Sequence, residues 1–538
     1  KGESVQKLKE AVTACVSLME DRPAEVVDNT AGDTFDPGAY WEELETVGDA
    51  INEDIMNVEG GNFRAPTVPA HENNAHFEDR PSKKNYDVRF DRPPFIKSVL
   101  LPELNASGNL KKTATGEYCY KEAPVTDTVL NLPYLFANGI GFHSHPADWF
   151  NLFLPKDRNK NTHQRLVTCD DLTSWLNTKA MMLGAGKRGG KYKDFADFSK
   201  SEVMKHLSVY LLHGISPSPQ VELKFKNQQE DPVNGSDLCN RVFGKRGVTR
   251  HKEFKAFFAG VNPIVPTPPT YSHPNWKIDP LLKHMRSVSQ SAIHIGRDIS
   301  VDEQDIGFQG RHKDKQRVTF KKVGDGFLVD ALCADGYTFA WFFRNQLAPK
   351  YWTDKELSPL HARVMALFQQ LPDSNYKCGM DNLFMSPKFA KIAKNDSGKG
   401  VMIHGVCRVS RGIPTCIQQV AVTKKEDLLR NRGIVKASVL KGDAKCDGLV
   451  AASLYDSKPV YFISNACERI EWIKKIRRQW HKEKGRNVKA PFYRLNLVDE
   501  YNLGMGHVDQ SDQLRLQYCI HYWLRNRKWW WAIFFCFF

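Results

Sequence analysis

The sequence predicts a mixed α/β protein in which a mainly helical unit precedes a sheet-forming second half. Three observations predict it. Between residues 299 and 343 apolar residues recur at roughly every other position in short runs, the period of strands. Between His145 and His284 the spacing is helical instead, as in Leu172 to Leu183 and Val203 to Leu212. A run from Pro263 to Pro280 with six prolines separates the two patterns as a linker.

At 538 residues the chain is long enough for several cores. Its first 92 residues, rich in acids, Gly, Pro and Asn, are expected to form a disordered leader. Residues 1–100 hold 11 basic and 20 acidic residues, which leaves 65 basic and 42 acidic for residues 101–538, a net of +23. The basic excess therefore belongs to the folded part, where it suits a polyanionic partner through counterion release and steering.

A helical unit is expected over residues 140–284. Its segment Arg246 to Phe258 mixes bases with aromatics, which reads equally as a helix facing phosphates or as an amphipathic helix with solvated lysines. The second half opens with a strand pattern ending at Asp302, followed by strands over Arg317–Val323, Gly326–Cys333 and Thr338–Phe343, the last two joined by the turn dipeptide Asp335-Gly336. Leu360, Val364, Leu367 and Phe368 then mark a helix between Leu357 and Leu371, which leads to Asp381. Such an order is compatible with a mixed sheet over residues 285–410, completed by residues 495–538. The stretch 411–494 is too long for a loop in a compact domain and is expected to be an insertion domain.

Four acids stand out in that second half. Asp302 lies in Ser300-Val301-Asp302-Glu303-Gln304, Asp381 in Gly379-Met380-Asp381-Asn382, and Asp509 and Asp512 in Gly506-His507-Val508-Asp509-Gln510-Ser511-Asp512. Carboxylates are the ligands Mg²⁺ prefers, and two such ions about 4 Å apart can drive an in-line phosphodiester displacement. Asp509 and Asp512, three apart, share one helix face, where Asp512 can equally pair locally.

These segments resemble, in order, the catalytic blocks of piggyBac-type transposases. The blocks are Ile299 to Phe343, Met380 to Ser386, Gly405 to Pro414, Val460 to Ser464 and Tyr501 to Gln513, and His145 to Phe153 resembles the start of that family's N-terminal domain. The resemblance implies an RNase H-like catalytic domain in which Asp302, Asp381 and Asp509 hold two Mg²⁺ ions, replaceable by Mn²⁺, with Asp512 close by. It implies double-stranded DNA as partner (transposon ends and target), a homodimer formed through the helical domain, and a nuclear location. The activity implied is metal-dependent strand cleavage and transfer; an inactive derivative that only binds or recruits DNA is the alternative. The family usually has Gly-Gly before the third Val-Asp, where this chain has Gly506-His507. That imidazole is expected to set bulk and, when protonated, positive charge beside the metal ligands.

Bases fall where DNA contacts would be needed. Arg311, Lys313, Lys315 and Arg317 follow the first acid, Arg408 and Arg411 lie in the third block, and Lys528 with Trp529 offers a cation and a stacking face. Trp530 and Trp531 are expected to bury. The densest basic run, Lys474 to Arg486, suits DNA phosphates, an import receptor or merely a solvated face.

Other classes are less favoured. Gly141-Phe142-His143-Ser144-His145-Pro146 with Asp157 resembles the zinc site of metal-dependent isopeptidases, but Leu154 stands where that pattern needs serine. The twelve cysteines include no Cys-x-x-Cys pair, which speaks for reduced thiols and against a zinc ribbon. No run reaches the ~18 apolar residues of a membrane span, and Lys1 to Glu20 lacks a signal-peptide core. A start without Met and an end inside the apolar run Trp529 to Phe538 are what a fragment of a longer chain would show.

Overall fold

The computed structural model describes residues 63–64, 88–95, 97–103, 105, 110–141, 144, 152–153, 167–188, 190, 192–266, 275–317, 325–421, 434–440, 448–481, 485–517, 520 and 528–537. Its centre is a ten-stranded mixed sheet. In chain order the strands are β1 (Phe63–Arg64), β2 (Asp298–Gly307), β3 (Gln316–Arg317), β4 (Asp325–Ala334), β5 (Tyr337–Phe343), β6 (Lys377–Met380), β7 (Met402–Val406), β8 (Val435–Leu440), β9 (Val450–Tyr455) and β10 (Pro459–Ser464). Their spatial order is β1-β8-β9-β10-β7-β6-β2-β4-β5, with β3 beside β4. Strand β6 runs parallel to both β2 and β7, and the remaining pairs are antiparallel.

Local chemistry explains these elements. Strand β2 fully buries Ile299, Val301 and Ile306. The β4–β5 turn is Asp335-Gly336, both with positive φ (49° and 75°), as a two-residue hairpin with right-handed strand twist requires. Helix α5 (Pro359–Phe368) starts at the N-cap Ser358 with proline in its first turn, and it packs Val364, Met365, Leu367 and Phe368 into the core that the sheet shares with α6 (Pro387–Asp396).

The helical unit contains α1 (Cys169–Met182), α2 (Lys200–Ile215), α3 (Gly247–Phe257) and a shorter helix, Asp237–Phe243, with α4 (Asp279–Ala292) leading into the sheet. Capping boxes, Thr168 with Asp171 and Ser199 with Glu202, start α1 and α2. Helix α7 (Asn496–Gln517) crosses the sheet, and α8 (Trp529–Phe537) plugs into the helical unit: Phe535 lies 4.6 Å and Trp531 5.3 Å from Tyr210, ring centre to ring centre. One apolar core thus includes α1, α2, α3, α8 and the sheet residues Ile306, Phe327 and Trp341. Trp530 and Trp531 are buried, as expected.

Several expectations need correcting. Asp302 does not end a strand before a loop but sits in the middle of β2, whose ladder with β4 runs from Ser300 to Gly307. The stretch 411–494 does not stand apart as a domain: β10 pairs with β7, so β8, β9 and β10 widen the same sheet. The ribbon Trp472–His481 with Arg486–Leu495 forms a separate two-stranded sheet. Two pieces of the expected leader are strands, Phe63–Arg64 on β8 and Val88–Arg89 against Arg469–Ile470. Of the strand expected over Arg317–Val323, residues 318–323 lie outside the described residues.

Candidate active site

Parallel pairing brings the first two acids together. Val301 pairs with Met380, so Asp302 and Asp381, the residues that follow them in sequence, are neighbours. Burial first, then the charge of Asp381, and then Glu303 and Asp509, hold the Asp302 carboxyl well above the usual carboxylate range. Burial and Glu303 likewise raise Asp381, to about 6, against the opposing pull of the Leu383 and Phe384 N–H groups and Arg408. Burial and like charge together therefore outweigh the neighbouring donors and cations at both acids.

The third acid comes from α7, which packs on β2, β4 and β6. Val508 fills the gap against Ala331 and Cys333, and Ser511 reaches Gln304 at 3.3 Å and Thr338 at 2.7 Å. Asp509 is exposed on the flank of this helix and near enough for its charge to be felt at Asp302. Asp512, one turn on, is bonded by Arg515 at 2.8 Å, which also donates to the Asp305 carbonyl. The helix lies close because glycines meet: Gly379 faces the Gly504 carbonyl, and Gly504 faces His404. Among the described residues no three His, Cys, Asp or Glu side chains are gathered closely enough to hold a metal ion as they stand. The donor set, carboxyl oxygens whose charged forms are disfavoured without a counter-ion, nonetheless fits a hard divalent cation.

His507 does not lie beside the acids as expected. Two residues along a helix differ by about 200° in direction. His507 accordingly turns away from Asp509, and its Nδ1 accepts the Asp335 N–H at 3.0 Å at the β4–β5 turn. Burial lowers its pKa, partly opposed by Asp335 and Asp298.

The expected DNA contacts divide. Arg311, Lys313 and Arg317 are exposed, while Lys315 pairs with Asp325 at 2.8 Å. Arg408 acts electrostatically on Asp381, and Arg411 donates to the Leu383 carbonyl at 2.9 Å. Lys528 is used inside the protein: it donates to the carbonyls of Lys255 and Ala256 at the end of α3, and burial with nearby Lys179, Lys255 and Lys277 pushes its pKa down to about 7. Trp529 packs on His312, 4.9 Å between ring centres. In α3, Arg250 is bonded to Glu202 and Glu253 and Lys255 to Glu222, leaving Arg246 and Lys252 on its exposed side. His143, His145 and Asp157, the zinc-type residues, lie outside the described residues.

Sequence reasoning missed a buried charge network behind Asp302. Asp330, fully buried, takes Arg344 Nε and Arg363 Nε at 2.8 Å each, and Arg344 also bonds Glu303. The acidic pair Asp302-Glu303 was its visible trace; the two arginines, 14 and 33 residues beyond Asp330, gave none.

Comparison with known proteins puts a class on this arrangement, that of the transposases: residues 145–538 match a family model described as Transposase IS4. The chain belongs to the piggyBac-type transposase family. Its fold is similar to that of a piggyBac transposase in a cryo-EM synaptic complex with hairpin DNA, at 15% identity, TM-score 0.51, 72% of this chain and 71% of that chain. No curated protein sequence matches the chain.

Proposed function

We propose that this chain cleaves DNA and transfers the cut strand, with Asp302, Asp381 and Asp509 as its metal ligands and Asp512 as a helper. The observation that carries the reading is the placement of Asp302 on β2 and Asp381 just past the end of the adjoining parallel strand β6, under the helix that bears Asp509. Two divalent ions, Mg²⁺ or Mn²⁺, would supply activation of the attacking oxygen and stabilisation of the leaving one. The chain's own residues would do the rest. Arg311, Lys313 and Arg317 would draw in the DNA backbone, and Arg408, near Asp381, would neutralise the reacting phosphate. In the first step water attacks phosphorus and the 3′ hydroxyl leaves; in the second that hydroxyl attacks a target phosphodiester, exchanging one P–O bond for another. An RNase H-like topology, assembly as a homodimer on double-stranded DNA and a nuclear location belong to the same reading, supported by the family and by the DNA in the similar complex.

A second reading, a protein that binds and recruits DNA without cutting it, is favoured by one observation: the three carboxylates are not gathered around one point among the described residues. Purified protein with Mg²⁺ or Mn²⁺ and labelled DNA bearing its transposon ends separates the two. Nicking that disappears in Asp302→Asn, with DNA retention intact, supports catalysis; retention without nicking in either protein supports recruitment.

A further inference from the structure

Asp381 lies just past the end of β6, where no ladder bond fixes it. What holds it is a short run of peptide groups, two of which are gripped by side chains from elsewhere in the fold. Its carboxylate accepts the Leu383 N–H at 2.8 Å and the Phe384 N–H. The Phe384 N–H belongs to the peptide between Leu383 and Phe384, whose carbonyl accepts Arg411 Nη1 at 2.9 Å. The next peptide, between Phe384 and Met385, gives its N–H to the Asp381 carbonyl at 3.2 Å and its carbonyl to His361 Nε2 at 2.9 Å. A carbonyl only accepts, so His361 Nε2 carries the proton. The His361 ring is itself fixed, stacked on Phe389 at 4.3 Å and 5°, and its backbone N–H is capped by Ser358.

We infer that Arg411 and His361 are positioning residues for Asp381, acting through two consecutive peptide groups. Neither side chain is bonded to the carboxylate directly. Each holds one peptide plane, and the planes aim their N–H groups at Asp381; bonds in such a chain also polarise one another. Outer partners of this kind typically change metal affinity ten-fold or more when removed. The inference rests on the proposal that Asp381 is a metal ligand.

The test is Mn²⁺ binding to the whole chain by calorimetry, with melting temperature and DNA retention measured in parallel. His361→Leu keeps the packing on Phe389 and loses the donor; it is expected to weaken Mn²⁺ binding about ten-fold with DNA retention unchanged. His361→Gln, whose amide reaches the Phe384 carbonyl, is expected to restore most of the affinity. Should His361→Leu fail to fold, His361→Asn, too short to reach Phe384, takes its place. A folded donor-less variant that binds Mn²⁺ as tightly as the unmodified chain, or a loss that His361→Gln does not recover, overturns the inference. Asp381→Asn is the separate control: if it too leaves Mn²⁺ binding unchanged, the metal-ligand reading itself falls.

Discussion

Gly379 on β6 and Gly504 on α7 touch backbone to backbone: a Cβ added to Gly379 would stand 2.6 Å from the Gly504 carbonyl oxygen. That contact sets how closely the helix bearing Asp509 approaches the strand that leads to Asp381. Gly379→Ala is therefore expected to push α7 away, costing about 1–3 kcal/mol as overpacking does, and to cut nicking more than melting temperature alone explains. Gly506, with open space around an added Cβ, is the control: Gly506→Ala should retain both properties.

Asp302→Asn and Asp381→Asn should stabilise the metal-free protein while abolishing nicking. Both carboxyls have folded-state pKa values above the ordinary one. Their favourable contribution is full below the ordinary carboxylate range and is lost as pH rises through their raised folded-state values, about 6 for Asp381. At pH 8 without divalent ions the Asp381 amide should add roughly 1–3 kcal/mol and the Asp302 amide should also stabilise, and both gains should vanish near pH 4. A melting temperature lowered by both variants at pH 8 would contradict the crowding of charge described here.

His507→Ala should destabilise the fold by about 1–3 kcal/mol, because a buried ring is removed and its bond from the Asp335 N–H is lost. Nicking per folded molecule should persist. Loss of nicking at unchanged thermal stability would instead return His507 to the proposed metal site.

Asp330→Ala strips Arg344 and Arg363 of the carboxylate they share in the interior. A loss of about 3–5 kcal/mol is expected, as for other buried pairs broken on one side. Thermal melts of the single and double variants measure it, and Asp330→Ala with Arg363→Met should recover part of the loss.

DNA contacts can be sorted by salt dependence. Arg311→Gln or Arg317→Gln should weaken binding across all sequences and reduce the slope of log K against log salt by about 1 each. Lys528→Met should leave that slope unchanged, since its ammonium is engaged with carbonyls of α3. A reduced slope in Lys528→Met would restore it as a phosphate contact.

Much of the sheet was legible because its signals are local. Alternating apolar residues gave β4 and β5, Asp335-Gly336 gave their turn, and helical spacing with Ser358 and Pro359 gave α5. The acids were legible through their motifs, but their surroundings were not. Nothing near Asp381 in sequence announces His361 or Arg411, and nothing near His507 announces Asp335.

The sequence by itself determined the element types, the basic character of the folded part and the order of motifs that marks the family, because each depends on residues close along the chain or on their sum. Only tertiary structure decided that β8, β9 and β10 join the main sheet, that Lys528 and Trp529 are spent on internal contacts, and that His507 turns from Asp509. Those outcomes depend on which strand edge is open, which carbonyls end a helix and which face of a helix meets the sheet, and all three are set by contacts between residues distant in the chain.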